Sequence, residues 1–69
     1  MNNIESLTLR EAEVLECIVK GMNNTEIADE LFISRHTAKS HFCSILRKMN
    51  VSNKIQAAVE AYKNGLIKI

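Results

Sequence analysis

The sequence has no proline, no tryptophan, two glycines and only three aromatic side chains among 69 residues. With so few breakers and no stretch of alternating apolar and polar residues, strands and hairpins are excluded in favour of an all-helical domain. No apolar run exceeds three residues, so no segment reads as a membrane-spanning helix. Cysteine is scarce as well. Cys17 and Cys43 are too few for a disulfide scaffold, which points to reduced thiols in a cytoplasmic compartment. The opening residues MNNIES are polar and acidic, unlike a basic and then apolar signal peptide. A chain of this size buries only about 60% of its unfolded surface. That leaves room for one compact core but hardly for an enclosed substrate pocket, so binding is expected before catalysis.

The formal net charge of +1 conceals an asymmetry. Residues 1–33 hold two bases against seven acids, a net of −5, and residues 34–69 hold seven bases against Glu60 alone, a net of +6. The basic half suits a polyanion, while the acidic half limits indiscriminate adhesion to it. Solvated helix faces are the plain alternative on charge alone.

Start and stop signals divide the chain into four helices. The first opens at Thr8 with Glu11 three residues on, a capping box, and is expected to end at Gly21. Ala12, Leu15, Ile18, Val19 and Met22 are its expected apolar stripe. Asn23 or Asn24 caps a short second helix that turns Ile27, Ala28 and Leu31 inward. Phe32 and Ile33 suggest a connection pinned to the core, and Ser34 caps a third helix running to about Met49. Asn50 ends that helix in a left-handed conformation, and Val51 packs at its exit. Ser52 or Asn53 caps the fourth helix, which closes at Gly65 with Leu66 folding back. Ile55, Ala58, Val59, Tyr62 and Leu66 are its expected core stripe, leaving Ala57 and Ala61 near the opposite face, where small side chains permit a second helix to approach. Alanine as a simple helix former is the plain reading of that pair.

A helical wheel of the third helix places Ala38, Phe42, Ile45, Leu46 and Met49 within a sector of roughly 100°. His36, Ser40, Cys43 and Arg47 lie opposite, with Lys39 at one boundary and Thr37, His41, Ser44 and Lys48 toward the other. The outer ridge is rich in donors and free of acids. A short helix, a tight turn and a longer donor-rich helix make a helix-turn-helix, whose second helix fits the DNA major groove. Metal and enzyme chemistry find little support. His41 and Cys43 point about 200° apart, and His36 and Cys43 are separated by about 10 Å of helix rise, too far for shared ligation or a thiolate–imidazole pair. No cofactor and no metal site is expected. Oxidation of Cys43 as a block on the ridge is a minor alternative.

The stretches "LTLREAEVLECIVKG", "NNTEIADELFIS", "HTAKSHFCSILRKMNVSNKIQAAVEA" and "GLI" resemble the DNA-binding domain of the LuxR/FixJ, or GerE-type, family of bacterial transcription regulators. The resemblance extends from Leu7 to Ile67 and implies residues 8–69 as the domain, after an arm or linker remnant at 1–7. It implies a compact four-helix domain that binds double-stranded DNA as a dimer at inverted repeats, and no enzyme. By position, Lys39, Ser40 and Cys43 would approach bases. The phosphate-facing set would be Asn24, Thr25, Ser34, Arg35, Thr37, His41, Arg47 and Lys48, of which Thr37, His41 and Lys48 would lie near the backbone or support the helix beside it. The family dimerises through the fourth helix, which assigns Lys54, Ala57, Ala61 and Asn64 to a second copy, with RNA polymerase as a further candidate partner. Departures are informative. Thr25 stands where a lysine is usual, Ala38 where a valine is usual, Cys43 where a longer polar residue is common, and Lys54 where an arginine is common. A thiol favours a thymine methyl over a hydrogen bond, so the departures bear on the target sequence. The reading from another class is a helical protein-interaction module that presents the basic ridge to an acidic partner. A sigma-factor-like promoter reader is a further variant within the DNA-binding class.

Overall fold

The computed structural model describes residues 7–65, and these form four helices: α1 (Leu9–Val19), α2 (Asn24–Leu31), α3 (Arg35–Met49) and α4 (Lys54–Lys63). Each begins where a side chain takes over an orphan amide. Thr8 Oγ1 accepts from the Glu11 N–H at 3.1 Å while Glu11 Oε1 accepts from the Thr8 N–H at 2.9 Å, completing the anticipated capping box. Asn23, rather than Asn24, caps α2, and Glu26 closes a second reciprocal box. Ser34 and Asn53 cap α3 and α4. Asn50 ends α3 at φ 56°, in the left-handed region that asparagine tolerates. The expected return of Leu66 lies outside the described residues.

α3 is central: it packs against α1, α2 and α4, and α1 touches both α2 and α4. The core consists of Val14, Leu15, Cys17, Ile18, Ile27, Ala28, Ala38, Ile45, Met49, Ala57 and Ala61, with Phe42, Leu46, Ile33 and Val51 among the residues packed at its edge. Burying side chains as large as Leu15, Ile27 and Ile45 contributes about 1.5–3 kcal/mol each. The inner face of α3 is the one the wheel picks out.

Three local expectations are corrected. Ala12 is exposed, and α1 turns Val14 and Cys17 inward instead, because its buried face must meet three other helices. Ile33 packs on the core, but Phe32 beside it is 95% exposed. The α4 stripe is inverted: Ala57 and Ala61 are 0% exposed, while Ile55, Val59 and Tyr62 face outward. Where α4 lies against both α1 and α3, small side chains at the contact allow the backbones to approach closely, which larger ones would prevent.

Phe32 adopts φ 57°, ψ 45° as the C-cap of α2. A left-handed conformation costs a residue with a Cβ roughly 1–2 kcal/mol, less for asparagine, and the exposed ring gains nothing from the core. Phe32→Asn is therefore expected to raise the unfolding free energy by up to about 1 kcal/mol in urea titrations. A loss of stability would show that the ring makes a contact the fold depends on.

Candidate nucleic-acid interface

The outer side of α3 is a surface built by the capping and packing just described. Ser34 fixes its start: the Ser34 hydroxyl accepts from the Thr37 N–H at 3.0 Å and donates to Thr37 Oγ1 at 2.9 Å. Burial of Ala38, Ile45 and Met49 fixes its rotation about its axis. Arg35, His36, Lys39, Ser40, Cys43 and Arg47 are consequently all exposed. His36, Lys39, Ser40, Cys43, Ser44 and Arg47 line one shallow, open recess. The base-reading set expected from sequence, Lys39, Ser40 and Cys43, thus shares one surface. No acid lies on α3 itself.

The phosphate-facing set divides. Asn24 and Thr25 sit in the first turn of α2, and Ser34, Arg35 and Thr37 lie at the start of α3, so two helix N-termini with their partial positive charge accompany these donors. His41 is half-buried on the side of Ser44, and Arg47 is exposed in the last turn of α3. Lys48 turns toward α1. Its ammonium lies 2.7 Å from Glu11 Oε1, and its side chain is only 25% exposed. The ion pair ties Lys48 to α1, so that it supports the helix beside the phosphate-facing residues.

Glu11 is the residue whose tertiary role the sequence does not disclose. It is 5% exposed, and besides closing its capping box it accepts from the Ser44 hydroxyl at 2.6 Å and from Lys48 Nζ at 2.7 Å. Burial alone would raise its pKa, but the bonds from Lys48, Ser44 and the Thr8 amide together outweigh desolvation and hold it at about 2. This carboxylate ties the start of α1 to the second half of α3, and so sets how the outer ridge is presented. Its partners lie 33 and 37 residues away in the chain, a separation for which no local pattern is a signal.

The face assigned to a second copy also changes. Ala57 and Ala61 have no exposed surface and cannot touch another molecule. Asn64 is exposed but donates to the Glu60 carbonyl at 2.8 Å, closing its own helix, and Lys54 is exposed at the opposite end of α4. The outward stripe of α4 is Ile55, Val59 and Tyr62, at i, i+4 and i+7. Among the described residues there is no group of His, Cys, Asp and Glu able to hold a metal ion, and no helix long and apolar enough to cross a membrane.

Comparison with known proteins gives this geometry a family context. The sequence model of the GerE family, bacterial regulatory proteins of the luxR family, matches residues 5–61. The transcriptional regulatory protein LiaR of Bacillus subtilis (strain 168) is 51% identical over 63 residues, which are 91% of this chain and 30% of LiaR. The transcriptional regulatory protein DegU of Brevibacillus brevis is 48% identical over 63 residues, 91% of this chain and 27% of DegU. The solved structure of the transcription factor GerE superposes with a TM-score of 0.82 at 31% identity, covering 90% of this chain and 92% of GerE. The chain spans under a third of the length of these two curated relatives.

Proposed function

The chain belongs to the GerE, or luxR, family of bacterial regulatory proteins, and from that premise we propose that it is the sequence-specific, double-stranded-DNA-binding part of a cytoplasmic transcription regulator. In this reading α3 enters the major groove. The observation that carries it is the acid-free ridge of α3, exposed along its length while the opposite side of the same helix is locked into the core. Lys39, Ser40 and Cys43 face base edges. Lysine donates to guanine O6 and N7, and the Cys43 thiol meets a thymine methyl. Arg35 and Arg47 supply charge to phosphates. Asn24, Thr25, Ser34 and Thr37 supply neutral donors beside two helix N-termini, with His41 at their edge. RNA polymerase is a further partner in keeping with a promoter-bound regulator.

The active form is a homodimer. Ile55, Val59 and Tyr62 form an unpaired apolar stripe on α4, and a second copy covers it, with Lys54 at its rim. Two copies related by a two-fold axis present two α3 helices to half-sites about one helical turn, 34–36 Å, apart.

Lys39→Ala is the direct test of the reading helix. On the domain's selected duplex it is expected to cost about 1–3 kcal/mol, or about 5- to 150-fold in affinity, and to relax preference at one position of each half-site. Arg47→Ala instead weakens all duplexes alike and lowers the slope of log K against log salt by about one. Fluorescence anisotropy across salt concentrations separates the two, and an unchanged base preference for Lys39→Ala would remove that residue from the reading set.

A further inference from the structure

His36 lies on the midline of the ridge and is assigned no role by the positions carried over from relatives. At 100° per residue, His36, Cys43 and Arg47 fall within an arc of about 40° along roughly 16 Å of α3, with Lys39 and Ser40 to either side. His36 is exposed, and its ring lines the same recess as Lys39, Ser40 and Cys43. It sits in the first turn of α3, the part of a recognition helix that reaches farthest toward base edges.

Its surroundings leave the ring available. The charged groups nearest it along α3 are the bases Arg35 and Lys39, and α3 carries no acid. Among the described residues no hydrogen bond or ion pair engages the imidazole. It neither caps the helix, a task Ser34 performs, nor enters the core. A midline side chain of a helix lying in the groove points at the floor, whereas residues at the flanks meet the phosphate walls. The floor presents acceptors suited to an imidazole N–H, and guanine alone offers two of them side by side, N7 and O6, with no donor between.

We infer that His36 is a specificity-determining residue that donates from its ring to guanine in the major groove, so that each half-site is read one position further than Lys39, Ser40 and Cys43 account for. The inference rests on the DNA-binding reading above and specifies its target.

The test is a comparison of duplexes enriched from a random pool by the wild-type protein and by three His36 variants, each checked by circular dichroism. Substitution at an exposed site without partners leaves the helical signal intact. His36→Ala is expected to lose the preference for guanine at one position per half-site, to keep the rest of the motif, and to lower affinity for the wild-type duplex roughly fivefold or more. His36→Arg retains guanine there. His36→Gln shifts the preference toward adenine, whose N6 and N7 suit an amide. An identical motif from wild type and His36→Ala, or a uniform loss on all duplexes, overturns the assignment and makes His36 a bystander or a phosphate contact. If the wild type itself enriches no motif, the DNA-reading function fails first, and the inference falls with it.

Discussion

Glu11→Ala is expected to leave the domain largely unfolded at room temperature. Removing one partner of a buried ion pair costs about 3–5 kcal/mol, because the other charge remains behind without compensation. A core this small rarely supplies more than that in total. Here the loss would remove the buried carboxylate that Lys48 and the Ser44 hydroxyl both donate to and would also open the cap of α1. Glu11→Gln should cost less, since an amide oxygen still accepts one hydrogen bond.

The same group predicts an acid transition. With a pKa of about 2 in the folded domain against the ordinary 4.5, Glu11 contributes stability that is fully present above about pH 4.5. That contribution is lost as the pH falls toward 2, and it is on the order of 3 kcal/mol. Urea unfolding followed by circular dichroism between pH 7 and pH 2 measures it. Glu11→Gln, already less stable, should show a shallower decline over that range. Equal declines for the two proteins would place the acid sensitivity elsewhere.

Ala61→Glu should be at least as damaging, for a different reason. Ala61 is 0% exposed between α4 and the helices it packs on. A carboxylate there has neither space nor a partner, a combination that exceeds about 4 kcal/mol. Val59→Glu, two residues earlier on the outward stripe of the same helix, should leave the monomer helical and its melting temperature nearly unchanged. Its effect falls on assembly: affinity for a duplex with two half-sites drops more than affinity for one half-site, because the second site is no longer engaged through a partner copy. Sedimentation and gel shifts read both. A folded but monomeric Ala61→Glu protein would restore the alanine face as the interface, and equal losses on both duplexes for Val59→Glu would remove α4 from dimerisation.

That contrast also marks where sequence reading stops. Helix ends were legible because caps are local: Thr8 with Glu11, Ser34, Asn50 and Asn53 act within a few residues, and each does so in the structure. The orientation of α3 was legible because its apolar and basic residues segregate cleanly around the wheel. In α4 they do not segregate. Both sides of that helix are apolar, and the choice between them was made by the space α1 and α3 leave, which admits Ala57 and Ala61 but not Ile55 or Tyr62. The inward ion pair of Lys48 is not legible for a related reason. A basic residue on the side of a recognition helix has the same sequence signature whether it meets a phosphate or a glutamate from another helix. Phe32 looked like a core residue because hydrophobicity does not register that its neighbour Ile33 alone reaches the core.

The proposed function depends on α3 reading base sequence from two copies at once. Enrichment of bound duplexes from a random pool at near-physiological salt, followed by sequencing, tests this most directly. Paired α3 helices should select an inverted repeat whose half-sites lie about one helical turn apart. Recovery of an unselected population with no motif would contradict it and leave the basic ridge as a nonspecific or protein-binding surface.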